Sequence, residues 1–299
     1  MSGGITVTFH GVRGSTPCDD PGLARYGGNT SCVVLDAPEH DPIVLDLGTG
    51  LRSYGAELVA EGRGDTWRGH VLLSHLHWDH VQGLPFFTPL HRAGSSMDVH
   101  GPAHPEGPLG AVFERFMGPP FFPIRPSDLP AAITFHDVAP GPFALGDAKV
   151  VATPVRHTGP TLGFRVELAD VVIAYIPDHG PGCSTEHADD HVPADVIDLC
   201  AGADLLIHDA QHTAAEYPAK RHWGHSTIDY AVEVACRSGV RALALFHHDP
   251  THCDGSVDRN EAHARELVAA AGDPCTVVAA REGLRLALTP RGGIADVLR

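Results

Sequence analysis

The segment Ser74-His75-Leu76-His77-Trp78-Asp79-His80 places three imidazoles and a carboxylate in six residues, directly after the apolar run Val71-Leu72-Leu73. Imidazole and carboxylate together form a donor set that suits zinc, and also manganese or iron. The same side chains are poor core fillers, because every buried polar group needs a partner. On extended backbone His75 and His77 project the same way. Asp79 and His80 lie past a turn and can face a second point. One short segment is thus able to serve two adjacent metal ions. A pair of cations is suited to hydrolysis, because it activates water and clamps the charge that develops on the group under attack.

Two ions need further ligands, and three more candidates sit at the ends of apolar runs. His157 follows Val150-Val151-Ala152-Thr153-Pro154-Val155, Asp178 follows Val171-Val172-Ile173-Ala174-Tyr175-Ile176-Pro177, and His247 follows Leu243-Ala244-Leu245-Phe246. His248 is adjacent to His247, and either is able to fill that place.

The elements that must position these residues are mostly strands. Ile5–Phe9 alternates and reads as a strand. Cys32–Leu35 and Ile43–Leu47 read as a hairpin pair, after which Gly48-Thr49-Gly50 turns into a helix over about 51–60. A strand at 70–74 leads into the histidine cluster. The proline-rich stretch 101–143, with Pro119-Pro120-Phe121-Phe122-Pro123 inside it, reads as loop carrying one short helix near 109–117. Further strands are expected near 148–155, 162–168, 171–176, 204–207, 241–246, 276–280 and 284–288. Ser226-Thr227-Ile228-Asp229 has the form of a capping box opening a helix that stops at Gly239, and a last helix is expected near 258–271. Each half of the chain runs strands, helix, strands. That pattern predicts two packed sheets flanked by helices, an α/β architecture, rather than an alternating doubly wound fold. No linker divides the sequence, so one domain over residues 1–299 is expected.

Composition narrows the function. The chain has 299 residues and is 43% hydrophobic, a globular value. No run of about 18 apolar residues is present, so no membrane-spanning helix is expected. Met1-Ser2-Gly3-Gly4 leads straight into a strand, without the basic and apolar regions of a secretory signal. The seven cysteines are scattered, odd in number and without a CxxC pair. Both features predict a reducing cytoplasm. The cysteines read as core fillers, with Cys183 and Cys253, near the expected active-site loops, as the two exceptions. A net charge of −16 repels a long polyanion, which argues against a broad nucleic-acid footprint. It is compatible with a small phosphodiester, because bound cations would dominate the local field. Histidine occurs 22 times, in keeping with the clusters.

The His75–His80 element has the form HxHxDH, and here the chain resembles the metallo-β-lactamase superfamily. Within it the nearest resemblance is to the ribonuclease Z-like and cyclic-phosphodiesterase branch. Four further elements carry that resemblance: Gly11-Val12-Arg13-Gly14-Ser15-Thr16-Pro17, Leu45-Asp46-Leu47-Gly48-Thr49-Gly50, His208-Asp209-Ala210 and His225-Ser226-Thr227. It spans residues from about 5 to 250. HxHxDH is specific for the fold and only weakly so for the substrate. The resemblance implies a four-layer αββα sandwich holding two divalent ions, zinc first and manganese as the alternative. His75, His77 and His157 would hold one ion, Asp79, His80 and His247 the other, and Asp178 would bridge them. It further implies attack by a metal-bridging hydroxide, with Asp79 orienting it or taking its proton. His225 is the candidate general acid, oriented by Asp209, and amides opening the following helix would favour a phosphate oxygen. His222 is a weaker candidate. Asp46 would support a ligand. Arg13, Asn29 and Ser31 line the pocket or merely shape loops. Phe121-Phe122 forms a lid, a dimer contact or a buried anchor.

The expected activity is hydrolysis of a small, cyclic phosphodiester. The nearest rival is a tRNA 3′-processing endoribonuclease. That group resembles this chain at the site but carries a tRNA-gripping arm, in many members between the ligands matching His157 and Asp178. Only 20 residues separate them here, enough for two strands. Lactone and thioester hydrolases share the metal core and lack the His225-Ser226-Thr227 element. A di-iron, oxygen-reducing member would carry glutamate where His77 stands. A metal-binding protein without turnover is the non-enzymatic alternative. Homodimers are common in the group, which leaves a homodimer open.

Overall fold

The structure is a computed structural model that describes residues 4–181, 191–290 and 295–296. Among the described residues, fifteen strands make two mixed sheets. In chain order they are β1 (Ile5–Gly11), β2 (Cys32–Asp36), β3 (Ile43–Leu45), β4 (Arg68–Leu72), β5 (Ser96–Pro102), β6 (Ala132–Val138), β7 (Gly141–Leu145), β8 (Ala148–Pro154), β9 (Leu162–Leu168), β10 (Val171–Ile176), β11 (Leu205–Asp209), β12 (Ala242–Phe246), β13 (Thr276–Ala279), β14 (Arg285–Leu288) and β15 (Ala295–Asp296). The helices are α1 (Gly50–Ala60), α2 (Trp78–Val81), α3 (Leu109–Phe116), α4 (Ala194–Cys200), α5 (Tyr217–Lys220), α6 (Ile228–Ser238) and α7 (Asp254–Ala270). The first sheet runs β15-β14-β1-β2-β3-β4-β5-β6 and the second β13-β12-β11-β10-β9-β8-β7. Strands β3 to β6 are parallel neighbours, and so are β10 to β13.

Period-2 alternation explains the layering. On β10, Val171, Ile173 and Tyr175 pack between the sheets, while Ala174 and Ile176 pack outward against helices. On β12, Ala242, Ala244 and Phe246 point inward, and Leu243 and Leu245 outward. The inter-sheet core joins Val7, Phe9, Leu45 and Leu72 of the first sheet to Phe164, Val166, Ile173 and Ile207 of the second. An outer core holds α4, α6 and α7 on the second sheet, and another holds α1 and α3 on the first. The result is the expected αββα sandwich.

Several local readings change. The stretch 101–143 is not mainly loop: it contains the end of β5, α3, and the strands β6 and β7. Its prolines misled because Pro130 and Pro140 stand in connections, and Pro142 sits in β7, an edge strand where a missing N–H is tolerated. Helix α4 was not foreseen. The cap of α6 is shifted by one residue: Thr227 accepts the Tyr230 amide, whereas Ser226 donates to the His179 carbonyl. Gly239 ends α6 at φ +61°, as expected of a left-handed stop. Helix α7 begins earlier than expected, at Asp254. Cys32, Cys200 and Cys275 are buried fillers, Cys253 is exposed at the start of α7, and Cys183 lies outside the described residues.

Candidate metal centre

The candidate residues gather beyond the carboxyl ends of strands in both sheets, where α/β sheets hold their ligands. Asp46 follows β3, the His75–His80 segment follows β4, His157 follows β8, Asp178 follows β10, and His247 follows β12, while Asp209 is the last residue of β11. All seven expected ligands fall into two groups that share Asp178: His75, His77, His157 with Asp178, and Asp79, His80, His247 with Asp178.

The two oxygens of Asp178 divide between the groups. Oδ2 lies 3.7 Å from His75 Nε2 and 3.5 Å from His157 Nε2. His77 Nδ1 completes that side, 2.8 Å from His75 Nε2 and 3.2 Å from His157 Nε2. Oδ1 lies 3.1 Å from both His80 Nε2 and His247 Nε2. Asp79 Oδ2 stands 3.2 and 3.1 Å from those same nitrogens. Donors held at about 2.0–2.1 Å around a tetrahedral ion stand roughly 3.3 Å from one another. The spacing therefore fits donors converging on two ions. His80 Nε2 and Asp178 Oδ1 are buried and lack a well-aligned hydrogen bond, as atoms awaiting an ion would.

Neighbouring groups fix which ring nitrogen faces inward. His80 Nδ1 donates to Asp46 Oδ2 at 2.7 Å, and His157 Nδ1 donates to the Gly224 carbonyl at 2.7 Å. His75 Nδ1 lies 3.0 Å from Ser74 Oγ, which itself donates to Asp46 Oδ2. In each case Nε2 is left free for the centre. Asp46 also accepts from the Ser74 amide at 2.7 Å and the Tyr175 hydroxyl at 2.7 Å. Asp46 and His247 both adopt left-handed backbone, φ +61° and +58°, strain that the surrounding contacts must hold. Gly14 packs against His247 so closely that a Cβ there would sit 2.4 Å from Nδ1.

The electrostatics favour cations. Burial works against charge on His80, but Asp178, Asp79 and Asp46 outweigh it and hold its pKa well above the ordinary imidazole value. Burial and the neighbouring imidazoles push His75 well below that value. Asp79 and Asp178 stay ionised despite burial, because His80 and His247 face both of them.

His225 stands beside this centre. Its ring lies 4.9 Å from His247 and 5.1 Å from His157, between the two groups. Its Nδ1 is 2.9 Å from Asp209 Oδ2. Burial lowers its basicity, but the charge and hydrogen bond of Asp209 prevail, and its pKa is raised. Asp209 is itself held by the amides of His179 and Gln211.

Of the amides that open α6, those of Ile228 and Tyr230 are taken by the His212 carbonyl and the Thr227 hydroxyl, so neither of these two is free for a phosphate. Arg13 is fully buried and donates to the carbonyls of Gly27, Asp249 and His252. Asn29 is held by Glu282, and Ser31 is fully buried. Arg13 and Asn29 thus brace loops. His222 is exposed beside Trp223 and joins neither group. His248 donates to the Ala280 carbonyl at 2.8 Å and belongs to neither donor group, which leaves His247 as the member of the pair that faces Asp178. Sequence reasoning missed Ser74, Tyr175, Ser15, whose amide donates to Asp79 Oδ2 at 2.7 Å, and Gly14. The one available signal was that Gly14-Ser15 and Ser74 sit beside elements already singled out.

A family model described as the beta-lactamase superfamily domain matches residues 43–248. A ribonuclease Z from Synechococcus sp. (strain WH7803) is 30% identical over 96% of this chain and 97% of its own length. Among solved structures, the metallo-beta-lactamase fold protein YhfI from Bacillus subtilis aligns with a TM-score of 0.69 at 17% identity, over 95% of this chain and 99% of that one. The short form of human tRNase Z aligns with a TM-score of 0.66 at 22% identity, over 95% and 99%.

Proposed function

This chain belongs to the metallo-β-lactamase superfamily, and from that premise we propose that it is a dinuclear metal phosphodiesterase acting on small, cyclic phosphodiesters. The observation that carries the reading is the division of the Asp178 oxygens between two donor groups, with the His225–Asp209 pair at their side. His75, His77 and His157 would hold one divalent ion, Asp79, His80 and His247 the other, and Asp178 both. Zinc suits these donors best, with manganese as the alternative. Ions bound there would acidify water and polarise the phosphoryl oxygens.

The rest is work for side chains. Asp79, whose Oδ2 accepts the Ser15 amide, would take the proton of the attacking water on its other oxygen. His225 carries a raised pKa and holds a proton for the leaving alkoxide, while Asp209 fixes its Nδ1–H and hence the direction of Nε2. In this account the three form the catalytic group.

The name of the 30% identical relative favours a second reading, tRNA 3′-end processing. Two observations weigh against it. The alignment with that relative extends over 337 residues, against 299 in this chain, so at least 38 of the relative's residues have no counterpart here. Between His157 and Asp178 this chain has only the paired strands β9 and β10 and their connections, with no room for a tRNA-gripping arm. The charge of −16 adds to the case against a long polyanion.

The test is hydrolysis of 3′,5′-cyclic AMP, 2′,3′-cyclic AMP, bis-p-nitrophenyl phosphate and a tRNA precursor by zinc- and manganese-loaded protein, with Asp79→Ala as control. Turnover of a small diester that vanishes in the control is expected. Cleavage of the precursor alone would establish the second reading. Hydrolysis of lactones or thioesters alone would remove both.

A further inference from the structure

Of the large apolar side chains exposed among the described residues, Trp78, Phe86 and Phe121 stand out at 70%, 54% and 80% exposure. All three line one concave pocket of about 520 Å³. Its walls come from α2, the turn Leu84–Phe86, α3 and the segment that follows α3. Phe116 and Phe122 add two further rings. Phe116 lies 6.4 Å from Trp78, and Phe122 meets Phe86 edge-on at 5.8 Å, so the aromatic walls brace one another.

The position of the pocket ties it to the metal centre. Trp78 is bonded to His77 on one side and Asp79 on the other, one ligand for each proposed ion. His77 is the exposed member of its group, so the centre is open to solvent beside Trp78. None of the lining residues is itself a ligand, so the pocket adjoins the centre through Trp78, whose Cα lies about 3.8 Å from those of both ligands.

We propose that the pocket holds the planar base of a nucleotide substrate, stacked among Trp78, Phe86 and Phe121. The proposal rests on the phosphodiesterase reading and narrows its substrate class from cyclic phosphodiesters in general to those that carry a nucleobase. The lining matches such an occupant. Bases stack on aromatic faces whatever their sequence, and five of the lining residues are aromatic. Gln82 offers both a donor and an acceptor, which a base edge can use and an alkyl chain cannot, while Arg115 is held by Glu106 at the rim. The volume falls within the roughly 300–1,000 Å³ of small-molecule sites. A second copy of this chain is the competing occupant, and the test separates the two.

The experiment compares kcat/KM for 3′,5′-cyclic AMP with kcat/KM for the base-free ribose 3′,5′-cyclic phosphate, using the zinc-loaded full chain and its Phe121→Ala and Phe86→Ala variants. Both side chains are exposed, and thermal melts check that the variants remain folded. The preference for the nucleotide is expected to fall about 5- to 100-fold, through KM for cyclic AMP, as loss of a stacking partner predicts. An unchanged preference overturns the proposal. So does a wild-type dimer that becomes monomeric in Phe121→Ala while the preference stays the same, since the rings would then belong to a second copy. If the wild type hydrolyses neither compound, nor 2′,3′-cyclic AMP, nor bis-p-nitrophenyl phosphate, the phosphodiesterase reading fails by itself. Quenching of tryptophan fluorescence by adenosine 5′-monophosphate then decides the pocket. Binding that is lost in Phe121→Ala supports it, and no binding overturns it.

Discussion

Replacing Asp46 by asparagine separates the charge of one buried carboxylate from its shape. The residue sits at φ +61°, a conformation that asparagine tolerates, so the backbone is not strained further by the exchange. Four donors converge on the carboxylate: the Ser74 amide, the Ser74 hydroxyl, the Tyr175 hydroxyl and His80 Nδ1, at 2.7–2.8 Å. Three of them address Oδ2. An asparagine can meet those three with its carbonyl only by turning its amide towards the Ser74 N–H, leaving a buried donor unpaired at about 1–3 kcal/mol. Its carbonyl is neutral, so His80 loses the negative charge that makes its Nε2 a strong donor. Loss of such a supporting group typically weakens metal binding 10- to 100-fold, or about 1.4–2.7 kcal/mol. The site of Asp79, His80 and His247 should take most of that loss. His75, at the other site, feels Asp46 only through the Ser74 hydroxyl. Competition titrations with a graded zinc chelator would resolve the two affinities. Equal weakening at both sites, or none in a folded variant, would refute the assignment of Asp46 to His80.

Other perturbations test separate parts of the account. His225→Ala should keep both ions, by metal analysis, while kcat falls about 10²–10⁴-fold; an unchanged kcat removes His225 from the mechanism. Gly14→Ala would place a Cβ 2.4 Å from His247 Nδ1 and 2.6 Å from Gln211 Nε2, so it should displace the imidazole. Weaker binding of one zinc and a loss of activity on the order of 10²-fold are expected, and full retention of both would show that His247 does not reach the centre. Burial raises the pKa of Asp249, but Lys220 at 2.7 Å and Thr251 outweigh it, lowering the value from 3.8 to about 2. Because the folded value is the lower one, this carboxylate stabilises the fold fully above about pH 4, and the contribution is lost as pH falls towards 2. Urea melts of chelator-treated protein should therefore show that Asp249→Asn loses less stability than wild type across that window, by on the order of 2 kcal/mol.

The ligand set was legible because it is written locally. Asp178 and His247 each stand at the end of an uninterrupted apolar run, and a strand that is buried on both faces has to be such a run. Its first polar residue then marks the strand end, where Asp178 and His247 stand. The two-sheet architecture was readable from the strands, helix, strands order of each half. What was not legible depends on how the sheets meet. Tyr175 reads as one more apolar residue of β10, yet it is the inward residue whose hydroxyl crosses to Asp46, 129 positions away. The Ser15 amide reaches Asp79 across 64 positions, and no side-chain pattern announces a backbone donor. The sequence left Arg13 open between a pocket and a loop, and its three bonds to backbone carbonyls decide for the loop. Strands β6 and β7 were hidden because they lie at sheet edges, where half-exposed residues and proline blur the period.

The central claim is that Asp178 joins two metal ions. Anomalous diffraction from zinc-loaded crystals, recorded above and below the zinc edge, tests it most directly. The account predicts two zinc peaks about 3.5–4 Å apart, one among His75, His77 and His157 and one among Asp79, His80 and His247, with one Asp178 oxygen on each. A single peak, or two peaks with Asp178 bound to neither or to only one, would contradict it.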